Sequence, residues 1–202
     1  GGWIVPASTE PSELVVNGMS LARRDSPFAN SGFVVALDPG DFERSGHKGP
    51  LGGVEIQRAI ERAAFAAGGG ALRAPAVRAT DFVRGVVSAT LPDTSYIPGL
   101  ASADLVPVLN ASGVDVASPL AEALRIFGRR MRGYLTDDAV LVGVESRTSA
   151  PVRVLRDART LEAHGLAGLY PAGEGAGYAG GIVSAALDGM RVARAVLQAR
   201  SA

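Results

Sequence analysis

Residues 168–199 read GLYPAGEGAGYAGGIVSAALDGMRVARAVLQA. An apolar run over residues 166–172 predicts a buried strand, which leads into a glycine-dense turn over residues 173–181. The next residues predict a long amphipathic helix whose apolar face consists of Ile182, Ala186, Met190, Ala193, Val196 and Leu197. Glycines allow a ligand to approach the backbone closely, and the first N–H groups of a helix lie unpaired at the positive end of its dipole. Strand, turn and helix together predict an anion cradle, usually one for phosphate.

The turn also contains a GxGxxG pattern, formed by Gly175, Gly177 and Gly180. This pattern is typical of the first turn of a Rossmann unit, which needs a second parallel strand with an acidic residue about 20 residues further on. The sequence ends at Ala202, so we do not assign the pattern to a first turn. We interpret it as the closing piece of a nucleotide-binding sheet whose first βαβ unit lies earlier in a longer protein.

Two long motifs carry a resemblance to a known family. The stretch GLYPAGEGAGYAGGIVSAALDG over residues 168–189 resembles the C-terminal FAD-contacting motif of bacterial FAD-dependent dehydrogenases, the NAD(FAD)-utilising dehydrogenases. The stretch ESRTSAP over residues 145–151 is similar to a second motif of that family. Shorter matches occur in the family's order, among them Asn17 to Ser20, Ala29 to Gly32, Gln57-Arg58, Asp81-Phe82 and Ser95-Tyr96.

The resemblance implies a fold and a division of the chain. The expected fold class is α/β, or α+β as a fragment, with a substrate or cap domain joined to the closing strand and helix of a Rossmann-like FAD domain. Residues 1–38 are assigned to part of the FAD-binding β region, residues 39–150 to the substrate or cap domain, and residues 151–202 to the C-terminal FAD-binding strand, turn and helix. The missing N-terminal FAD-binding segment of the same protein is then the expected partner.

The resemblance also implies the cofactor, FAD, and the residues that contact it. These residues are Gly173, Glu174, Gly175, Gly177, Tyr178, Gly180, Gly181 and Ile182. In flavoproteins with this closing motif an acidic residue after the glycine binds the ribityl chain, and Glu174 stands at that place. The residues alone are equally compatible with a turn that serves tight packing of helix on strand. We expect FAD in the full-length protein but not in this fragment alone, because half of the cradle is missing.

Residues 145–151 supply the candidates for substrate binding, Glu145, Arg147 and Thr148. They follow an apolar strand predicted over residues 139–145, and ligands of open α/β sheets bind at strand ends. Arg147 offers a planar fork for a carboxylate or phosphate. An internal ion pair of Glu145 with an arginine explains the cluster as well. The catalytic residues are unknown, with Arg147 and Tyr178 as candidates, although a lone tyrosine more often packs in a core or at its rim.

Composition excludes several other classes of function. The formal net charge is +0 and the pI about 7.0, which gives no electrostatic footprint for nucleic acid. The absence of cysteine excludes disulfides and thiolate metal sites, and the isolated His47 and His164 predict no metal site. No apolar run reaches about 18 residues, so no membrane span is predicted and a cytoplasmic protein is expected. The mean hydropathy of +0.20 indicates either apolar surface that faces a missing segment or an alanine-rich composition.

Local patterns predict the remaining elements. Helices are predicted over residues 54–67, with Glu61 outside the apolar stripe, and over residues 118–131, with Ser118 as the N-cap. Further strands are predicted over residues 13–17, 31–38 and 150–155.

Two hypotheses of different class follow. The first is a fragment of an FAD-dependent oxidoreductase, a dehydrogenase that transfers hydride between FAD and either a small organic substrate or NAD(P)H, the fragment alone being inactive. The second is a non-catalytic binding or interaction domain on a flavoprotein scaffold, because fold alone does not fix chemistry. A weaker third reading is a nucleotide-binding domain that uses residues 175–180 for ADP-ribose.

Overall fold

The chain mixes short strands with helices of up to five turns. The structure is a computed structural model that describes residues 2–200. These residues form two compact units, one made of residues 2–48 and 55–146 and the other of residues 49–54 and 147–200. Both sheets are small, which confirms the α+β class expected for a fragment. The predicted three-part division into functional domains stays a prediction.

Two sheets lie in the first unit. Their strands are β1 (Gly2–Pro6), β2 (Val16–Ser20), β3 (Ala74–Arg78), β4 (Leu100–Ser102) and β5 (Val140–Val142). β1 pairs with β2 in antiparallel register, Gly2 opposite Ser20. β3 is the central strand of the other sheet, parallel to β4 and antiparallel to β5. β3 is paired on both edges, and its residues Ala74 to Val77 are all buried.

Six helices complete the described residues. They are α1 (Pro39–Arg44), α2 (Gly52–Ala67), α3 (Ala79–Arg84), α4 (Leu105–Leu109), α5 (Ala117–Arg130) and α6 (Ile182–Arg200). The helix predicted over residues 54–67 is confirmed as α2, and its residues Ile56, Ile60 and Ala64 lie in the core of the first unit. A fully buried isoleucine such as these contributes about 1.5–3 kcal/mol. Glu61 was expected outside this stripe and is instead 0% exposed.

Helix α5 is confirmed, but the prediction of its cap is wrong. The helix begins at Ala117, and Ser118 lies within its first turn. Asn110 Oδ1 accepts hydrogen bonds from the N–H groups of Val116 and Ala117, each at 2.9 Å, and Asp115 Oδ1 accepts one from Ser118 N at 3.1 Å. Two side chains that precede the helix therefore accept from N–H groups at its start, and Ser118 is not the cap.

In the first unit, the predicted strands agree with the structure less closely than the predicted helices do. The strand over residues 139–145 is confirmed as the shorter β5, and the strand predicted over residues 13–17 lies slightly later, as β2. Residues 31–38 form no strand, although Phe33, Val35 and Leu37 pack against the core. Burial thus alternates along residues 33–37 as it does in a strand, but no strand of the described residues pairs with this segment.

The second unit consists mainly of loops and turns that lead into α6. The strands predicted over residues 150–155 and 166–172 are both wrong; the latter segment is mostly exposed coil and turn. A strand needs a partner edge for its backbone groups, and no described strand lies beside either segment. The long helix after the turn is confirmed as α6.

The predicted apolar face of α6 is turned to the outside of its unit. Ile182 is 91% exposed, Met190 54% and Leu197 66%. The buried residues of the helix are Asp188 and Val192, on another face. None of the helices within residues 2–200 combines the length and apolar character that crossing a membrane requires.

Candidate functional site

Two glycines of the turn serve the fold of the chain itself. Gly173 has φ +73° and Gly177 has φ +81°, in the left-handed region where glycine is favoured. A Cβ placed on Gly177 would also lie 2.5 Å from the carbonyl oxygen of Val152. These two positions match the alternative reading of the motif, a turn that needs glycine for tight packing.

The other three glycines have no such reason to be glycine. None of Gly175, Gly180 and Gly181 has a positive φ. A Cβ placed on any of them would meet nothing within 4 Å. The described residues therefore leave open space at these three positions, space that a side chain would fill and that a ligand lying against the backbone could use.

Backbone donors accompany the open space. Inside the turn, Gly177 N donates to Glu174 O at 2.8 Å and Tyr178 N donates to Gly173 O at 3.0 Å. The N–H groups of Gly175, Gly180 and Gly181 donate to no acceptor among residues 2–200. They precede a 19-residue helix, whose N-terminus adds a positive dipole end. The turn thus presents unpaired donors at the places where it is open.

The side chains predicted at the site lie in and beside the turn. The Glu174 side chain is half-buried and makes no hydrogen bond or ion pair with any described residue. The Ile182 side chain is almost fully exposed at the start of α6. Tyr178 is half-buried, and its hydroxyl donates to Val154 O at 3.0 Å.

A buried ion pair lies behind the turn. Arg156 donates to the two carboxylate oxygens of Asp188 at 2.9 and 2.6 Å, and the side chains are only 5% and 6% exposed. Asp188 Oδ2 also accepts a hydrogen bond from Gly173 N at 2.9 Å. The hydrogen bonds from Arg156 lower the pKa of Asp188 from 3.8 to about 2. The carboxylate therefore stays charged at all ordinary pH values.

Arginine side chains also fix Tyr178. The guanidinium of Arg156 lies 3.6 Å from the centroid of the Tyr178 ring, and that of Arg153 lies 5.2 Å from it. Arg153 Nε donates to Gly177 O at 2.9 Å. Cation–π contacts of this kind contribute about 0.5–2 kcal/mol. Tyr178 is thus tied to residues 153–156 through both its ring and its hydroxyl.

With this geometry in place, comparison with known proteins identifies the family. Residues 1–148 match the model of a family described as "FAD-dependent protein, C-terminal domain-like". The chain belongs to this FAD-dependent family. A protein of Clostridium beijerinckii, which bears only the name "Uncharacterized protein", is 44% identical over 200 residues. That alignment covers 98% of this chain and 36% of the relative, so the chain spans about a third of the length of the curated relative it matches.

The match confirms the resemblance to an FAD-dependent family. It ends at residue 148, before the glycine turn, and it does not separate the NAD(FAD)-utilising dehydrogenases from other members. The geometry of the turn fits FAD independently of the match. Gly175, Gly180 and Gly181 leave open space beside the backbone, and the N–H groups of the same three residues are unpaired within the described residues. Such donors suit the phosphate and carbonyl oxygens of a flavin nucleotide.

The predicted substrate-binding residues fall in different units. Glu145 belongs to the first unit and is half-buried; a Cβ placed on Gly32 would lie 3.2 Å from Glu145 Oε2. Arg147 and Thr148 belong to the second unit, where Arg147 is half-buried and Thr148 is exposed. Their role in substrate binding stays a prediction.

Sequence reasoning missed how polar residues pair in both units. In the first unit, Ser146 Oγ donates to the buried Glu61 at 2.6 Å, and Gln57 Nε2 donates to Ser146 O at 2.8 Å. In the second unit it missed Asp188. A signal was present, because Asp188 is the one charged residue in the stretch 182–190 and so indicates a buried partner.

Proposed function

We propose that the full-length protein containing this chain is an FAD-dependent dehydrogenase that transfers hydride between FAD and either a small organic substrate or NAD(P)H. The observation that carries the proposal is the open part of the glycine turn. Three glycines leave space without any requirement from the chain's own fold, and their N–H groups are unpaired within the described residues. Membership of an FAD-dependent family supplies the chemical identity of the ligand.

In this proposal the turn holds the cofactor mainly through its backbone. The N–H groups of Gly175, Gly180 and Gly181 donate to oxygen atoms of FAD, and the backbone of Ile182 at the start of α6 lies beside the ring. The Glu174 carboxylate, free of other partners in the described residues, accepts from a ribityl hydroxyl. FAD supplies the redox chemistry, while the positive end of α6 favours negative charge near it.

The substrate side of the proposal rests on fewer observations. Glu145, Arg147 and Thr148 are proposed to bind the substrate, Arg147 through its planar fork. Arg147 and Tyr178 remain the candidates for a catalytic role. The Tyr178 hydroxyl already donates to Val154 O, so proton donation to a substrate would require that bond to break. The existing contacts favour a role for Tyr178 in holding the turn in place.

The proposed partner of the chain is the N-terminal FAD-binding segment of the same protein. Three observations support it: α6 exposes Ile182, Val183, Leu187, Met190 and Leu197; residues 166–172 have the apolar character of a strand but no strand partner; and the relative extends well beyond this chain. Covering such a face removes apolar surface from water, which is favourable by about 25 cal/mol per Å².

The proposal is tested by substitutions in the full-length protein. Gly180→Val fills the cradle and Glu174→Ala removes the proposed ribityl contact, so both are expected to weaken FAD retention through gel filtration. Ala158→Val, on an exposed turn outside the motif, is the matched control and is expected to retain FAD. Full retention in both motif variants would remove the turn from the cofactor site.

Anaerobic reduction separates the dehydrogenase from the non-catalytic alternative. The FAD-loaded protein is mixed with NADH, NADPH and small organic donors, and the flavin absorbance is followed. Bleaching within minutes by one of these donors supports the proposed transfer. A retained flavin that no donor reduces would favour a binding domain on a flavoprotein scaffold.

A further inference from the structure

We propose that Asp188 and Arg156 are positioning residues that set the geometry of the glycine turn relative to helix α6 before FAD binds. The inference rests on the proposed function for its ligand, but its structural part concerns only this chain. Both side chains are nearly fully buried and bonded to each other, so neither is expected to touch the cofactor. Their effect on FAD is expected to pass through the backbone donors of the turn.

Asp188 and Arg156 contact residues at both ends of the glycine turn. Asp188 lies in the second turn of α6 and accepts from the N–H of Gly173, the first residue of the glycine turn, at 2.9 Å. Arg156 donates to Pro171 O at 2.6 Å, just before the turn, and its guanidinium lies against the Tyr178 ring, near the end of the turn. The pair therefore contacts both ends of the turn and the helix that follows it.

Several other hydrogen bonds also hold the glycine turn. Its two internal hydrogen bonds close it on itself, and bonds from Arg153 and Val154 attach it to the preceding segment. The end of the turn is joined to the first turn of α6 by the bond from Ser184 Oγ to Gly181 O at 2.9 Å, and the start of the turn is joined to the second turn of α6 by the bond from Gly173 N to Asp188. The cradle combines donors from the turn with the start of the helix, so convergence of those donors depends on both joins.

The ion pair of Arg156 and Asp188 has the features of a strong buried contact. Both side chains are nearly fully buried and the contact is bidentate, which is the geometry in which a buried ion pair is strongest. Removal of one partner leaves a buried charge without its counterion, which is strongly destabilising. A bidentate buried pair has one favourable arrangement, so it holds the turn in one shape. The open side of the turn therefore has its final shape before FAD binds.

The test uses the full-length protein and three variants. Asp188→Asn removes the charge but keeps the size, and Arg156→Lys keeps the charge but loses the fork. Arg194→Gln, an exposed arginine on the same helix, is the control. The readouts are the Kd for FAD, the absorbance maximum of the bound flavin, and hydrogen–deuterium exchange of peptides covering residues 171–178 in the FAD-free protein.

For Asp188→Asn and Arg156→Lys we expect the Kd for FAD to rise by about tenfold or more, the flavin absorbance maximum to shift, and exchange over residues 171–178 to accelerate without FAD. Arg194→Gln should match the wild type. Unchanged Kd, spectrum and exchange in both variants would overturn the inference. If Asp188→Asn fails to fold, Arg156→Lys decides alone.

Failure of the inference and failure of the proposed function give different results. A wild-type protein that binds no FAD would contradict the proposed function, and the exchange data would then decide the structural inference by themselves. A wild-type protein that binds FAD together with variants that bind it equally well would contradict the inference alone.

Discussion

Gly177 packs so closely against Val152 that an added Cβ would lie 2.5 Å from the Val152 carbonyl oxygen. The same residue has φ +81°, so two independent constraints require glycine there. Gly175, two positions earlier, has neither constraint. Neighbouring glycines of one motif thus serve different purposes, one for the fold and one for the open side of the turn.

This difference predicts that two alanine substitutions act on different properties, one on stability and the other on FAD binding. Gly177→Ala introduces both a left-handed alanine and a close contact, and should lower the free energy of unfolding by about 1–3 kcal/mol or more. Gly175→Ala should change it by less than about 0.5 kcal/mol and act instead on FAD binding. Urea unfolding monitored by circular dichroism gives the first quantity and flavin fluorescence titration the second. Equal loss of stability in the two variants would contradict the division of roles.

The buried carboxylate of Asp188 predicts a dependence of stability on acid pH. Its pKa is lowered from 3.8 to about 2 by the hydrogen bonds from Arg156. A lowered pKa contributes stability that is fully present above the unfolded value of 3.8 and is lost as the pH falls through about 2. Thermal unfolding of wild type and Asp188→Asn should be compared between about pH 5 and pH 2. The melting temperature should fall more steeply with decreasing pH in the wild type. Parallel curves would contradict this contribution.

His47 predicts a dependence of the opposite sign near neutral pH. Its Nε2 lies 2.9 Å from Ser112 O and its Nδ1 lies 3.2 Å from Glu55 Oε2. The hydrogen bond to Ser112 is the largest cause that raises the pKa of the imidazole above 6.5, and the hydrogen bond to Glu55 is the next. The associated stability is present below pH 6.5 and is lost as the pH rises through the raised value. Relative to His47→Gln, the wild type should therefore lose stability as the solution becomes more alkaline. A constant difference across this range, measured by urea unfolding, would argue against a protonated His47.

The core of the first unit predicts a large effect for one substitution. Leu14 is 0% exposed, whereas Ile97 is 81% exposed. Leu14→Ala should lower the free energy of unfolding by about 2–5 kcal/mol because it leaves a cavity. Ile97→Ala is the surface control and should cost less than about 0.5 kcal/mol. Similar values for the two variants would contradict the assignment of the core.

The helices were predictable from sequence because their signals are local. The 3.6-residue period identified α2, α5 and α6 without knowledge of their partners. The strands were harder, since a strand exists only beside another strand. Residues 31–38 contain the apolar residues of a strand, and Phe33, Val35 and Leu37 pack against the core, yet no described strand pairs with them.

The site was predictable in part. Its glycines could be located from the spacing, but the sequence could not separate Gly177, which the fold requires, from Gly175, which it does not. The pairing of Arg156 with Asp188 joins residues 32 positions apart, and no local rule connects them. The resemblance to an FAD-dependent family was confirmed by the match to residues 1–148, whereas the individual contacts with FAD stay predictions.

The central claim is that this chain completes an FAD site in a longer protein. The most direct measurement is the absorbance spectrum and released-ligand mass of the purified full-length protein, before and after incubation with FAD. For the wild type we expect an absorbance band at about 450 nm and a released ligand with the mass of FAD. The band should be much reduced in Gly180→Val and unchanged in Ala158→Val. A full-length protein that is colourless and takes up no added FAD would contradict the account.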